Sequence, residues 1–444
     1  MPLAPTAIRR LAVVAILALI LLGALLRAGA IGANKRVSTD EAGYAADANH
    51  LLADRPYASF KWAPGTPVAF AVATALSGHS SLRVNAHAHG PAQYTQLAIE
   101  TATLALIALA AWTLAGAGAA ILGVALAATY VPLVLITRTY LSEPLGGLMF
   151  LAAVFVAAWA RRRGLRAIAL AGVLAGLTCL ARNDLAVGMA AIAVALALAD
   201  RPGRRVAALR AGVFLGCLVV TLTPWLLYAA SREGHFVPVT TSGPDALFIG
   251  TYLPGRGEQF PTVESFAPAV CRERPAECHS YRAGETGPMF RLIASRYPGL
   301  SESAAATRAT WRNIEKYAFG QPLAFAGMLW EKFWHMWSYP WSGGNSGLHP
   351  DTSRPQHLIY VALAWLGLLA GALVTRRWAL LTAAGALLAV SALNTWFVAQ
   401  ARDNVRFMPL LFAYGAAGLW LLGGRLWRSR SRRRERSAAI PART

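Results

Sequence analysis

Apolar residues in this chain come in runs close to twenty residues long, separated by short polar breaks. Ten such runs can be drawn, at roughly 8–27, 93–116, 118–137, 141–160, 165–181, 184–200, 207–229, 357–375, 378–398 and 406–424. About 20 residues at 1.5 Å rise cross the roughly 30 Å hydrocarbon core of a bilayer. The pattern therefore predicts an all-α polytopic membrane protein with about ten transmembrane helices. Two polar regions interrupt it. In the first, 28–92, Ser38-x-x-Glu41 reads as a capping box opening a helix. Tyr44, Ala45, Ala48, Leu51 and Leu52 fall on its apolar side, with Asp47, His50 and Asp54 on the other. Such a helix lies along the membrane interface. Pro64-Gly65-x-Pro67 then breaks the chain, and the apolar piece 67–77 is too short to span. The second region, 231–355, is rich in Gly, Pro, Ser and charge and contains an amphipathic aromatic stretch from Leu329 to Trp341. The expected organisation is a membrane core over 1–230, a long outer loop over 231–355, membrane helices over 356–424 and a basic tail over 425–444.

Composition agrees. Of the 444 residues 56% are hydrophobic and 14% charged, against about 25% charged in soluble chains. The formal net charge of +21 would suggest nucleic acid in a soluble protein. Its placement argues otherwise. Arg9-Arg10, Arg161-Arg162-Arg163-x-x-Arg166, Arg201/Arg204/Arg205/Arg210, Arg376-Arg377 and the tail from Arg425 to Arg436 fall at every second inter-segment position. That is the positive-inside pattern, which puts both termini inside and 28–92 and 231–355 outside. Without a basic stripe carrying interleaved aromatics, nucleic acid is excluded as a partner. Residues 8–27 also fit a cleaved signal peptide, with Ala28-Gly29-Ala30 after the apolar run. Cys179 and Cys217 lie in apolar segments. Cys271 and Cys278 lie in the outer loop, where a disulfide and two free thiols are both admissible.

The charges left outside carry the candidate chemistry. Asp40 opens the first outer helix and suits a general base, although Asp40 and Glu41 also favour the positive end of a helix. Arg138-Thr139-Tyr140-x-Ser142-Glu143-Pro144 sits at the outer junction of segments three and four. Ionisable residues at such depth are costly and mark sites: Arg138 could neutralise a phosphate, and Glu143 could bind sugar hydroxyls, a metal or Arg138 itself. Arg182-Asn183-Asp184 ends segment five, as a substrate contact or a self-satisfied pair. Arg402-Asp403-x-x-Arg406-Phe407 precedes the last segment, and Lys61, one of four lysines, precedes Trp62-x-Pro64. All five groups share one side of the membrane.

The stretch from Asp40-Glu41-x-x-Tyr44 through Leu51-Leu52, Pro56-Tyr57 and Trp62-x-Pro64-Gly65-x-Pro67 resembles the first outer loop of GT-C class glycosyltransferases that use polyprenyl-phosphate sugars. Protein O-mannosyltransferases and aminoarabinose transferases belong to that class. The resemblance returns at Ser142-Glu143-Pro144-Leu145, Arg182-Asn183-Asp184, Pro224-Trp225, Phe236-Val237-Pro238 and Arg406-Phe407-x-Pro409. It implies Asp40 as catalytic base, with Glu41, Tyr44, Lys61, Arg138, Glu143, Arg182, Asp184 and Arg406 binding substrate. Arg138 and Arg406 are expected to converge on the carrier phosphate. The chain departs from the class in lacking a large luminal domain and a Trp-Trp-Asp-like acceptor motif, so protein acceptors are not supported.

The reading is an integral-membrane hexosyl- or pentosyltransferase, inverting, moving sugar from polyprenyl phosphate to a lipid or cell-envelope glycan. Its expected site is the outer face of a bacterial plasma membrane; the Arg-rich, Lys-poor usage hints at a GC-rich bacterium. No cofactor is required; a divalent metal is compatible but no dense ligand cluster asks for one. The alternative is a secondary transporter or flippase, which would place its charges near the bilayer midplane in two symmetric halves.

Overall fold

The computed structural model describes residues 5–32, 37–84, 90–160, 163–198, 203–282, 284–341 and 350–438. Arg161, Arg162 and Arg201 of the basic clusters, and the end of the tail, lie outside the described residues. What is described folds as helices and short turns, with no strand.

The chain opens with α1 (Pro5–Ala30), then α2 (Thr39–Leu52) and α3 (Gly65–Leu76) of the first polar region. The antiparallel bundle continues with α4 (Pro91–Ala115), α5 (Ala117–Thr129), α6 (Val131–Ile136), α7 (Glu143–Ala160), α8 (Leu165–Ala181), α9 (Ala186–Leu198) and α10 (Arg204–Glu233). The long loop supplies α11 (Gly243–Thr251), α12 (Gln259–Glu273), α13 (Cys278–Arg282), α14 (Gly287–Ser295), α15 (Glu302–Asn313) and α16 (Pro322–Ser338). Then come α17 (Pro350–Thr375), α18 (Trp378–Trp396), a 3₁₀ turn over Ala401–Phe407 and α19 (Met408–Ala438).

All ten hydrophobic runs are helical. Among the described residues, seven helices, α1, α4, α7, α10, α17, α18 and α19 with the turn before it, are long and apolar enough to cross a membrane; α5, α8 and α9 are shorter apolar helices. The tight connection between α4 and α5 works because Gly116 takes φ +90°, a left-handed conformation that other residues resist. The third run differs from expectation. It breaks at Tyr130, before Pro132, which cannot donate to a helical ladder. The carbonyls freed there are taken up by neighbours. Arg27 of α1 donates to Ala127 O at 3.1 Å and Ala128 O at 3.4 Å, and Gln356 of α17 donates to Thr129 O at 2.9 Å. Irregular backbone at membrane depth is tolerated where protein satisfies it in this way. The Arg27 guanidinium is itself paired with Glu100 of α4 at 3.3 Å.

Small residues set the helix spacing where α17 meets α19. A Cβ on Gly371 would stand 2.6 Å from Gly418 Cα, so this pair of helices packs backbone to backbone. The long loop builds its own core from Phe248, Val263, Tyr281, Met289, Phe290 and Ile293. Cys271 and Cys278 are joined by a disulfide across α12 and α13.

Side-chain contacts bring the connections 137–142, 182–185 and 397–407 together with α2: the Tyr140 amide meets Glu41, Glu143 meets Arg182 and Arg402, and Asp184 meets Arg406.

Candidate active site

The first outer helix forms as its cap signals require. Ser38 Oγ accepts from the Glu41 amide at 3.3 Å, and Glu41 Oε2 accepts from the Ser38 amide at 2.9 Å. The other Glu41 oxygen accepts from the Tyr140 amide at 2.9 Å, which ties α2 to the 137–142 turn. That turn is held from the opposite side by Gln96, whose amide donates to Leu141 O at 2.7 Å. One side chain of α2 departs from the expected pattern. Asp47, placed on the polar side by periodicity, is fully buried, because the following segment folds back and its Ser59 amide donates to Asp47 at 3.0 Å. Burial raises the Asp47 carboxyl to about 6, against the pull of that hydrogen bond.

A cavity of about 610 Å³ opens at this end of the bundle, between α2, the C-terminal ends of α8 and α18, the 3₁₀ turn and loop helices α11 and α14. Asp40, Tyr44, Lys61, Arg182, Asp184 and Arg406 line it, together with Arg402, Asp403 and Asp245. Seven charged groups form an alternating chain, six of which line the cavity. Asp40 accepts from Arg402 at 2.8 Å; Arg402 pairs with Glu143 at 3.0 Å; Glu143 accepts from Arg182 at 3.0 Å; Arg182 pairs with Asp184 at 3.1 Å. Asp184 in turn pairs with Arg406, which donates to Asp403 at 2.7 Å and to Asn394 at 2.7 Å. Every guanidinium touches two carboxylates. This arrangement holds buried charge because each member is paired, whereas removing one member strands another.

Burial pushes the Asp40 carboxyl up, but the positive charges of Arg402, Lys61 and Arg182 outweigh it and hold the group below the ordinary carboxylate range. Asp40 is therefore ionised at neutral pH. Tyr44, whose hydroxyl lies 2.8 Å from Ser142 Oγ, is pushed up to about 12 by burial and stays a neutral hydrogen-bonding group. Asp245, on the opposite wall in the first turn of α11, is raised to about 6 by burial, against the charge of Lys61.

Three of the expected site residues stand elsewhere. Arg138 is buried beside Glu41, whose charge opposes the desolvation of the guanidinium, and it does not line the cavity. The expected convergence of Arg138 and Arg406 on one phosphate is thus corrected: Arg406 faces the cavity and Arg138 does not. The connection turns Arg138 back toward the α2 cap while Ser142 and Glu143 turn toward α8. Glu41 likewise serves the cap and the Tyr140 amide, outside the cavity lining. Glu143 sits behind the cavity wall, 1% exposed, bridging Arg182 and Arg402. Arg402, which is not among the site residues the resemblance implies, is the residue in contact with Asp40. A signal for the charge chain did exist in the Gly146-Gly147 pair. A Cβ on Gly146 would stand 2.8 Å from Arg182 Cδ, and one on Gly147 would stand 3.1 Å from Arg406 O. Among the described residues, no group of three or more His, Cys, Asp or Glu side chains is placed to hold a metal ion.

No protein-family profile matches the sequence, and no curated protein matches it. Solved structures do. The oligosaccharyltransferase of Archaeoglobus fulgidus in its apo form is similar at a TM-score of 0.54 and 12% identity over 98% of this chain and 52% of that one. The same archaeal protein, AglB, in complex with an inhibitory peptide and a dolichol-phosphate gives 0.52 and 12% identity over 97% of this chain and 52% of that one. ArnT from Cupriavidus metallidurans bound to undecaprenyl phosphate gives 0.40 and 16% identity over 94% and 78%. The chain thus spans about half the length of the archaeal structures it resembles. It shares the membrane fold of the archaeal oligosaccharyltransferase structures, in line with the resemblance of the first-loop motif.

Proposed function

We propose that this protein is a glycosyltransferase that moves a sugar from a polyprenyl-phosphate carrier to an acceptor hydroxyl. The observation that carries this reading is the placement of Asp40, Arg182 and the Arg402/Arg406 turn, from three distant parts of the chain, on one cavity at one end of the membrane bundle. Such a transfer needs a base for the acceptor, cationic donors for the leaving phosphate and a lipid-facing scaffold, and the cavity has the first two on a scaffold of the third kind. The archaeal structure of the same fold was solved with dolichol-phosphate, which supports a lipid phosphate as ligand here.

In this mechanism the acceptor oxygen attacks the anomeric carbon from the face opposite the carrier, so the configuration inverts. Asp40 takes the acceptor proton as the new C–O bond forms. The bond to the carrier phosphate breaks, and the departing phosphate gains negative charge. Guanidinium groups fixed before the reaction stabilise that charge without reorganising, and their planar forks suit phosphate oxygens. Arg402 links the two events. It is bonded to Asp40, and a phosphate entering the cavity competes for the same guanidinium and releases the base. Tyr44 and Lys61 are placed to contact sugar hydroxyls or phosphate. The acceptor is a lipid or cell-envelope glycan, and the cavity faces the extracytoplasmic side, as the arginine clusters at alternate connections and the Cys271–Cys278 disulfide support.

The purified chain, incubated with a panel of radiolabelled polyprenyl-phosphate sugars and bacterial envelope lipids, tests this. Transfer with at least one donor is expected, and Asp40→Asn should lower it by about 10²–10⁴-fold while donor binding persists. Near-wild-type turnover in Asp40→Asn would sink the mechanism, and failure of every donor the reading itself.

A further inference from the structure

The aromatic stretch near the end of the long loop plays no part in the cavity. It forms α16, a helix with two apolar faces. Phe325, Met328, Lys332 and Met336 recur at helical spacing on the buried face. On the reverse face Leu323, Trp330 and Trp334 follow at the same spacing and are 89%, 65% and 58% exposed. Gly327 lies in this stripe with no atom near it, and Phe319 continues it at 77% exposure in the preceding turn. Charged Glu331 and aromatic-edged His335 lie to the flank.

The buried face says where the helix lies. Phe325 packs on Trp396, the last residue of α18, with ring centroids 5.5 Å apart. Eleven residues on, the Met336 carbonyl accepts from Asn404 in the 3₁₀ turn at 2.7 Å, and Tyr339 O accepts from the same amide at 3.0 Å. Trp337 packs edge-on against Trp365 of α17 at 5.0 Å. The start of α16 therefore rests on the end of α18, and its last turn rests on the 3₁₀ turn before α19 and, through Trp337, on α17. That is the level at which the apolar spans stop, and tryptophan partitions to this boundary, its ring in lipid and its N–H toward water.

We propose that α16 is seated in the headgroup layer of the bilayer, with Leu323, Trp330 and Trp334 in the lipid. The bilayer is the occupant favoured because α16 packs where the apolar span α18 ends, on Trp396, which is itself an exposed apolar residue of that span. Seating it has a consequence for the cavity. The Asn404 bonds fasten α16 to the turn that carries Arg402 and Arg406, and Lys332 fastens it to α11 by donating to Gly250 O at 2.9 Å. The lipid surface thereby fixes the height of both arginines and of the opposite cavity wall.

The test uses the full chain with Cys179 and Cys217 replaced by alanine, carrying one new cysteine at Leu323, Trp330 or, as an aqueous reference, exposed Arg308 of α15. Each is spin-labelled without reductant and placed in phosphatidylcholine–phosphatidylglycerol vesicles. Labels at Leu323 and Trp330 should be relaxed more by oxygen than by a water-soluble nickel chelate, and the Arg308 label the reverse. Nickel accessibility equal to that at Arg308 would overturn the proposal. So would shielding from both reagents that disappears when the protein is diluted in lipid, which would mark a second copy as the cover. Should a cysteine variant fold poorly, quenching of native tryptophan fluorescence by brominated lipids gives the same answer. It should fall in Trp330→Phe/Trp334→Phe, and unchanged quenching would count against lipid seating.

Discussion

At the scale of single residues, the alternating charge chain separates two arginines that the sequence treats alike. Arg138 and Arg406 are both outer-end arginines, but only Arg406 reaches the cavity. Arg138→Gln should therefore leave donor affinity close to wild type, whereas Arg406→Gln should weaken it about 10- to 100-fold, the equivalent of a charge-assisted contact of about 1.5–3 kcal/mol. Donor titration of the two purified variants by fluorescence or calorimetry checks this; equal losses would show that the cavity lining is not the phosphate site. Arg402 makes a sharper case. It neutralises Asp40 and Glu143 at once, so Arg402→Lys keeps a positive charge but loses the fork that reaches both. Turnover should fall more than donor affinity, read as a drop in kcat larger than the rise in KM. The reason Arg402 was not singled out is physical. Its role depends on a contact with Asp40 across 362 residues of sequence, and no local pattern encodes that pairing.

At the scale of elements, what could be read from sequence was what depends on local sequence. The helical character of the apolar runs and the Ser38–Glu41 cap follow from periodicity and cap chemistry, and Pro64 stands where a new helix, α3, begins. Tertiary demands rewrote the rest. Tyr130 interrupts the third run, Asp47 is buried by a backbone amide twelve residues on, and Arg138 turns away from the site. The buried Lys332 of α16 belongs with these. Desolvation lowers its ammonium from the ordinary lysine value to about 7, against the attraction of Glu258 and Asp403. Because the folded value lies below the unfolded one, the unfolded chain binds the extra proton between about pH 7 and the ordinary lysine range. Stability contributed by this group therefore rises with pH through that window. The apparent thermal midpoint in detergent should climb more steeply over that range in the wild type than in Lys332→Met. Parallel curves would mean that Lys332 is charged or solvated in the fold.

At the scale of the whole molecule, sidedness is the property on which everything else depends. Arginine clusters at alternate connections predict that 231–355 faces outward and the tail inward. A cysteine placed at Arg308 should react with an impermeant thiol reagent in intact cells, and one placed at Arg428 only after permeabilisation; the opposite result would invert the site. The bundle also carries a lesson about how it is made. Glu100 sits in the second spanning helix, where a bare carboxylate is expensive in lipid. Its partner Arg27 arrives in the first, with a hand already extended to the broken backbone at Ala127 and Ala128. A lone first helix, cut from its successors, would leave Arg27 without either of its tasks, so the first helix is complete only with the second and third packed beside it.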